Sequence, residues 1–199
     1  MLAMVTGLRA GEIQGLRVQD LGKDCLYIRH SWNLSDGLKC TKNKENRTVE
    51  LPFPSIMQGL YELARSNPNG QGLDGFIFYS DRKRSPKKRD TGMGYKPIES
   101  NTFLVGLRTA LLEIGMSTTE TEKITFHGWR HYFTTYMTER VTEKLLMQQT
   151  GHKTASMIGH YSDHRLASDK EIVQLAQIDA FASTLSPLLT ITDNARKLA

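Results

Sequence analysis

The sequence predicts an α+β domain that is mainly α-helical, with a small antiparallel β-sheet near the N-terminal half. Over several segments, apolar residues recur at spacings of three and four, which is typical of amphipathic helices. Two short stretches, residues 26–29 and 47–51, instead alternate apolar and polar side chains, as half-buried strands do. A chain of 199 residues that is 39% hydrophobic and 24% charged is sufficient for one well-cored domain.

The first predicted element is a short helix from residue 8 to about residue 16, where apolar residues are three apart. Arg9 would lie at its beginning. The two alternating stretches follow, with Gly and Asn residues between them, so the turn of the small sheet would carry Lys42 and Lys44.

A longer helix begins at Pro54, a favourable residue for a first helical position, and is predicted to end near residues 66–68. A strand-like stretch follows at residues 76–80. The segment 81–94 is the sharpest change of composition in the chain, and we interpret it as a loop. Six of the eight residues from 82 to 89 are basic: Arg82, Lys83, Arg84, Lys87, Lys88 and Arg89.

The next predicted helix is capped by Ser100 and closes at Gly115, as a C′ glycine does. This helix carries apolar residues at helical spacing: Phe103, Leu104, Leu107, Leu111 and Ile114. Another helix spans residues 126–140, with a buried stripe of aromatic and Met side chains at intervals of four. His127 and Arg130 project beside that stripe, three residues apart.

A short helix from about Thr142 ends at Gly151. Ser168 and Glu171 form a capping box for a final helix, which is expected to stop before Pro187. The predicted apolar stripe of this helix comprises Ile172, Leu175, Ile178, Ala182 and Leu185. We therefore expect one domain over residues 1–186 and a C-terminal tail over residues 187–199.

Composition narrows the class of protein further. The formal charge of +5 and the pI near 9.2 favour an anionic partner. Cys25 and Cys40 have no spacing typical of a zinc ribbon or a disulfide scaffold, so we interpret them as reduced thiols. No apolar run has the length of a membrane span, and the N-terminus lacks the pattern of a signal peptide. We expect a cytoplasmic protein that does not bind a membrane.

Four residues suit phosphoryl transfer to a tyrosine. Arg9 and Arg130 are candidates to bind the non-bridging oxygens of a phosphodiester, where negative charge accumulates. A tyrosine such as Tyr161 has an ordinary pKa near 10, so it needs positive charge or a base nearby to act as a nucleophile. His127 and the two arginines would supply both.

A leaving sugar oxygen needs a proton, which a lysine on the predicted hairpin can deliver. Spacing alone does not distinguish Lys42 from Lys44 in this role. His152, directly after Gly151, would either donate a hydrogen bond to phosphate or cap the end of its helix. The basic side chains from 82 to 89 would either follow a phosphate backbone or solubilise a loop.

Two histidine pairs offer a competing interpretation as metal ligands. His127 with His131, and His160 with His164, have the i, i+4 spacing of ligands on a helix. The glutamate of H-E-x-x-H is missing, however, and an arginine lies between the first pair, where it would repel a dication. We therefore predict no metal site and no cofactor.

Three segments taken together resemble the catalytic domain of the tyrosine recombinases, the phage integrase family. TGLRAGEIQGLRVQDL resembles the first arginine box of the family, and HGWRHYFTTYM resembles its H-x-x-R box. TGHKTASMIGHYSDH is similar to its closing segment, in which the nucleophile follows a glycine-histidine pair by nine residues. The resemblance runs from about residue 5 to residue 165 and implies the tyrosine-recombinase catalytic-domain fold.

The resemblance also implies a role for each matching residue. Arg9 and Arg130 would bind the scissile phosphate, with His127 and His152 assisting, and Tyr161 would form a 3′-phosphotyrosyl bond to DNA. Lys42 would be the general acid, with Lys44 as the alternative. Glu12 matches the acidic residue that supports the site. The implied activity is metal-independent breaking and rejoining of DNA by an integrase of a phage or another mobile element.

For partners, the resemblance implies double-stranded DNA and a homo-tetramer on DNA in the full-length protein, and we expect a monomer for the isolated fragment. The chain is expected to be a catalytic-domain fragment that lacks its first helix and the N-terminal DNA-clamping domain. Three alternatives stay open: a DNA-binding fragment without activity, a metal-dependent hydrolase, and a type IB topoisomerase. The final helix would pack either on its own domain or on a neighbouring protomer.

Overall fold

Eight α-helices and four short β-strands form the part of the chain that this computed structural model describes, residues 1–41, 46–67, 72–80, 97–151 and 167–196, with side chains at 170–186 in the last range. The helices are α1 Leu2–Thr6, α2 Ala10–Gln14, α3 Pro54–Ser66, α4 Ser100–Glu113, α5 Thr118–Lys123, α6 Gly128–Thr138, α7 Glu143–Thr150 and α8 Ala167–Arg196. The strands are β1 Cys25–Ile28, β2 His30–Asn33, β3 Gly37–Cys40 and β4 Arg47–Glu50. The predicted fold class, mainly helical α+β, is confirmed.

The small sheet pairs β1 with β4 in antiparallel register, with Leu26 opposite Val49. Both of these side chains are fully buried, as alternating half-buried strands require. Between β1 and β4 the chain forms a second antiparallel pair, β2 with β3, in which Trp32 lies opposite Leu38. The alternation pattern did not reveal this hairpin. Lys42 and Lys44 lie outside the described residues, so their place on a turn stays a prediction.

The core includes residues of α1, α6, α8 and the β1–β4 pair, with α1 packed on α6, α6 on α8, and α8 on β4. Phe133 of α6 and Phe181 of α8 are both fully buried, and their rings stack with centroids 5.8 Å apart. Helix α1 was not predicted, because its five residues are all buried and therefore show no amphipathic period. The buried stripe predicted for α6 is present at Phe133 and Met137, while Trp129 is partly buried.

Two predicted helices, α3 and α7, have the expected ends, and α3 spans Pro54–Ser66. Helix α2 begins directly after Arg9 but, at Ala10–Gln14, is shorter at both ends than the predicted 8–16. Helix α7 is capped by Thr142, whose hydroxyl accepts a hydrogen bond from the Leu145 backbone N–H at 3.4 Å. It ends at Gly151, which has the left-handed φ of 68°.

Helix α4 corrects one prediction. Its N-cap residue is Glu99 rather than Ser100. Of the apolar residues predicted along it, Ile114 is exposed and four are partly buried: Phe103, Leu104, Leu107 and Leu111. The helix contacts α5 and α2 and buries Phe103 only in part, edge-to-face against Phe78. Gly115 does follow the end of α4 with a positive φ, as predicted. The stretch 76–80 forms isolated bridges at its ends instead of a strand.

Helix α8 also differs from its prediction. It continues past Pro187 to Arg196, and the residues that it buries are Val173, Ala176, Gln177, Ala180, Phe181 and Leu185. Of the predicted stripe, Leu185 is buried, but four residues are exposed: Ile172, Leu175, Ile178 and Ala182. Over its described side chains, α8 packs on its own domain.

Polar contacts fix α8 to the sheet. The Lys170 ammonium is 2.8 Å from a carboxylate oxygen of Asp24, and Gln174 donates to Asp24 and to Glu50. The fully buried Gln177 side chain donates to the carbonyl oxygens of Val5 and Glu50, at 3.0 and 2.9 Å. Among the described residues, no helix is both long and apolar enough to cross a membrane.

Replacing Gln177 with alanine is expected to lower the free energy of unfolding by about 2 kcal/mol, because the carbonyl groups of Val5 and Glu50 would each lose a buried donor. Urea denaturation measures this change. Ser183→Ala, at an exposed position of the same helix, is the control and is expected to have little effect. Equal effects of the two substitutions would show that Gln177 does not anchor the helix.

Candidate functional site

The first feature of the site is the start of α2, where Arg9 and Glu12 form a hydrogen-bonded ion pair. The Arg9 backbone N–H donates to Glu12 Oε2 at 2.9 Å, and its Nη1 donates to Glu12 Oε1 at 3.0 Å. The Glu12 side chain is 4% exposed, whereas that of Arg9 is 43% exposed. The guanidinium of Arg9 is therefore oriented by a buried carboxylate and remains accessible to an anion in solution.

A second arginine, Arg47 at the start of β4, binds the same carboxylate. Its Nη1 and Nη2 donate to the two oxygens of Glu12 at 2.9 and 2.8 Å, which is the planar bidentate geometry of a strong ion pair. Burial alone would raise the pKa of Glu12, but the hydrogen bonds and charges of Arg47 and Arg9 hold it below its ordinary value. Glu12 is therefore ionised at neutral pH.

The C-terminal end of α7 binds three arginines through consecutive backbone carbonyl oxygens. Arg47 Nε donates to the Gln149 oxygen at 3.0 Å, Arg130 Nη2 to the Thr150 oxygen at 2.6 Å, and Arg9 Nη2 to the Gly151 oxygen at 3.4 Å. The last carbonyls of a helix have no helical donor and carry partial negative charge, so cations are favoured there.

Arg130, on α6, is 2% exposed and also joins distant parts of the chain. Besides its bond to Thr150, its Nη1 donates to the carbonyl oxygen of Gly7 at 2.8 Å. Burial and the positive charge of Arg9 lower the pKa of Arg130 to about 10. Its guanidinium is still charged at neutral pH, so two cationic groups meet beside the end of α7.

His127 is the N-cap residue of α6, one turn before Arg130. Its ring lies edge-to-face against that of His131, with centroids 4.9 Å apart. Burial lowers the pKa of His127, and the charges of His131, Arg130 and Arg9 lower it further. The lowered pKa favours the neutral imidazole, the form that can accept a proton from a reacting group.

The structure thus brings together four of the residues that the sequence singled out: Arg9, Glu12, His127 and Arg130. Arg47 was missed as a site residue, since the sequence marked it only as part of a strand. The remaining candidates lie outside the described residues, and their roles stay predictions: Lys42, Lys44, His152, Tyr161, Arg82, Lys83, Arg84, Lys87, Lys88 and Arg89.

The described part of the chain contains no group of three His, Cys, Asp or Glu side chains that could hold a metal ion. His127 and His131 are adjacent, but the nearby charged groups are the guanidiniums of Arg9 and Arg130. His160 and His164 fall outside the described residues. A cluster of positive side chains is suited to binding an anion such as a phosphate.

Gly151 allows the end of α7 to approach the Arg47 guanidinium closely. A Cβ at this position would lie 3.1 Å from Arg47 Nη1, and φ is +68°, a strained value for any L side chain. Gly151→Ala is therefore expected to cost about 2 kcal/mol in the free energy of unfolding and to displace the Arg47 guanidinium.

Gly37→Ala provides the control, measured by urea denaturation alongside Gly151→Ala. Gly37 has a similar φ of +73°, but nothing lies within 4 Å of the position that an added methyl group would take. Gly37→Ala introduces the backbone strain without a contact like that with Arg47, so it should lower the free energy of unfolding by less than Gly151→Ala does. If Gly37→Ala costs as much, the contact at Gly151 has no energetic importance.

Comparison with known families decides the classification of the chain. The model of the phage integrase family matches residues 1–167, which is most of the chain and contains each of the three sequence boxes. The chain belongs to the phage integrase family. A comparison with curated proteins found no match.

The phage integrase fold is also found in solved structures similar to this chain. One is the Tn1549 transposon integrase in complex with circular intermediate DNA, with a TM-score of 0.56, 19% identity and 85% of this chain covered. A tyrosine-to-phenylalanine variant of that integrase, with transposon right end DNA, has the same TM-score and identity, with 91% covered. An arginine-to-lysine variant, with circular intermediate DNA, has a TM-score of 0.56 and 15% identity, with 96% covered.

This phage integrase domain spans just over half of the solved integrase chains, 56% and 57% of their lengths. At these identities the likeness establishes the fold. The family match ends at residue 167, where α8 begins.

Proposed function

We propose that the chain is the catalytic domain of a tyrosine recombinase that cleaves and rejoins double-stranded DNA through a covalent 3′-phosphotyrosyl bond at Tyr161. The observation that carries the proposal is that Arg9 and Arg130 bind the end of α7 together, near enough to His127 for both charges to lower its pKa. The segment with His152 and Tyr161 follows that end directly in the sequence. Membership of the phage integrase family supports the same activity.

In the proposed reaction, the Tyr161 hydroxyl oxygen attacks phosphorus and the bond from phosphorus to the 5′ oxygen breaks. The phenolic proton passes to neutral His127, and Lys42, or Lys44 in its place, protonates the leaving 5′ oxygen. Arg9 and Arg130 stabilise the negative charge on the non-bridging oxygens, with His152 as a further donor. Attack by a 5′ hydroxyl of the exchanged strand reverses these steps and rejoins the DNA.

These groups supply positive charge and proton transfer without a metal ion, so the proposed mechanism is metal-independent. The two guanidiniums replace the charge that a divalent ion provides in other phosphoryl transfers. The lowered pKa of His127 favours its neutral form, which is the form that accepts a proton.

The proposed partner is double-stranded DNA of a phage or another mobile element. A formal charge of +5, with six basic residues between 82 and 89, favours a polyanion. The Tn1549 integrase, whose fold is similar, was solved in complexes with transposon and circular intermediate DNA. Assembly into a tetramer on DNA is part of the proposal for the full-length protein.

Capture of covalent complexes tests the proposal whatever the target sequence is. The chain is incubated with a library of nicked duplexes, complexes that resist denaturation are isolated, and their DNA is sequenced. We expect adducts that share a target sequence, that persist in the presence of a chelator, and that disappear in Tyr161→Phe.

Three outcomes would contradict the proposal. Adducts that form equally well with Tyr161→Phe would exclude this residue as the nucleophile. Salt-sensitive DNA binding without any adduct would favour a DNA-binding domain that does not cleave. Cleavage abolished by the chelator would favour a metal-dependent hydrolase.

A further inference from the structure

Arg47 makes contacts that give it a role beyond holding β4 in place. It contributes all three of its guanidinium nitrogens to described hydrogen bonds: Nη1 and Nη2 to Glu12, and Nε to the Gln149 carbonyl oxygen. Its side chain is 14% exposed, in contrast to the 43% of Arg9. This geometry leaves Arg9, and not Arg47, directed to solvent.

The hydrogen bonds from Arg47 to Glu12 orient Arg9. Glu12 accepts from the Arg9 backbone N–H and from Arg9 Nη1, and its two oxygens also accept from Arg47. A carboxylate held by one bidentate partner has a fixed plane. Arg47 therefore sets the orientation of the carboxylate, and the carboxylate sets the orientation of the Arg9 guanidinium.

The hydrogen bond from Arg47 to Gln149 holds the end of α7. Arg47 Nε binds the Gln149 oxygen, and the next two carbonyl groups, of Thr150 and Gly151, bind Arg130 and Arg9. Gly151 approaches the Arg47 guanidinium so closely that an added Cβ would lie 3.1 Å from Nη1, which leaves little freedom for this turn. A shift of Arg47 would therefore move the carbonyl groups to which Arg130 and Arg9 are bonded.

We propose that Arg47 is a positioning residue, which holds Arg9 and Arg130 at the spacing required to bind one phosphate group. This inference rests on the proposed function, since it assigns the two guanidiniums to a phosphate. It predicts that a lysine at position 47, although charged, fails, because an ammonium cannot make the bidentate bond and the bond to Gln149 together.

The first experiment uses inorganic phosphate as the probe and does not require activity. Nitrogen-15 NMR of the arginine side chains follows a phosphate titration at constant ionic strength, for the wild-type chain, Arg47→Lys and Arg17→Lys. Arg17 is a matched control, because its side chain is 12% exposed and its ion pair is with Asp74, away from Glu12. Arg47→Lys should weaken phosphate binding about tenfold, by analogy with other outer-shell substitutions, and Arg17→Lys should leave it within about twofold.

A double substitution separates positioning through Glu12 from a general loss of structure. If Arg47 orients Arg9 through Glu12, then Glu12→Gln with Arg47→Lys should weaken phosphate binding no more than the stronger single substitution. Additive losses would contradict transmission through the carboxylate. Unfolding curves of the same variants identify any that fail to fold, and Arg47→Lys keeps the positive charge beside Glu12.

The second experiment measures the rate of adduct formation on nicked DNA recovered by covalent capture. Arg47→Lys should slow adduct formation at saturating DNA on the order of 100-fold, while the dissociation constant for DNA stays within about twofold. An unchanged phosphate affinity in Arg47→Lys would overturn the positioning role even where adducts form, and so would a wild-type chain that binds no phosphate. A tenfold loss of phosphate affinity with no Tyr161-dependent adduct would support positioning and overturn the recombinase proposal.

Discussion

Arg130→Ala is expected to lower the free energy of unfolding by about 3 kcal/mol and to reduce the rate of covalent adduct formation by 10²- to 10³-fold. The loss of stability follows from the carbonyl groups of Gly7 and Thr150, which would each lose a charged donor within the core. The loss of rate follows from the proposed role of the guanidinium, which binds oxygens that gain charge in the transition state.

Urea denaturation and the capture assay on nicked DNA measure these two effects. Arg140→Ala is the matched control, because Arg140 follows the same helix but forms a surface pair with Asp179. Surface pairs contribute about 1 kcal/mol or less, so the control should remain near wild type in stability and in rate. If both alanine variants have equal stability, the buried bonds of Arg130 do not hold α1 and α7 together.

The second large effect is expected at Glu12, whose carboxylate joins Arg9 to Arg47. Glu12→Ala leaves Arg47 with an uncompensated charge in a largely buried position, and breaking a buried ion pair in this way costs about 3–5 kcal/mol. Denaturation by urea at pH 7 measures the loss. Asp36→Asn is the control, since Asp36 forms an exposed ion pair with Lys39 and its substitution should have little effect. A Glu12→Ala variant as stable as this control would contradict the account.

The pH dependence of stability tests the Glu12 ion pair in a different way. The pKa of Glu12 is lowered in the folded chain from its ordinary value of 4.5, so the folded state favours the ionised form. Its contribution is therefore fully present above the ordinary pKa and is lost as pH falls through the lowered one. The difference in stability between wild type and Glu12→Gln should be constant from about pH 8 to pH 6 and should shrink below about pH 4. A difference that grows on acidification would reverse the sign of the assigned shift.

The candidate site could be predicted from sequence where its residues are close together in the chain. His127 and Arg130 are three residues apart across a helix start, so local spacing indicated this pair. Glu12 was expected only from the resemblance of its segment to the first arginine box of the family. Arg47 is different. It is 35 residues from Glu12 and 102 from Gln149, and no local pattern reports contacts over such distances.

Helix α8 shows why the core was harder to predict than the helices themselves. Ile172, Leu175 and Ile178 recur with helical spacing, but so do Val173, Ala176 and Ala180. Periodicity locates two apolar faces, and tertiary packing decides which one is covered. The face with small alanine residues is buried, with Gln177 bonded to backbone groups in its centre.

The β2–β3 hairpin was missed for a related reason, since its strands are four residues each and only Trp32 among them is fully buried. Without a clear alternation there is no strand signal in the sequence. Helix α4 shows the converse: the apolar spacing of Phe103, Leu107 and Leu111 is clear in the sequence, but these side chains are only partly buried in the described chain.

The most direct test of the central claim is the chemical identity of the bond between protein and DNA. Adducts captured on nicked duplexes are digested with nuclease and protease, and the modified peptide is sequenced by tandem mass spectrometry. We expect a nucleotide joined through its 3′ phosphate to the Tyr161 oxygen. A nucleotide on any other side chain, or a link through a 5′ phosphate, would contradict it.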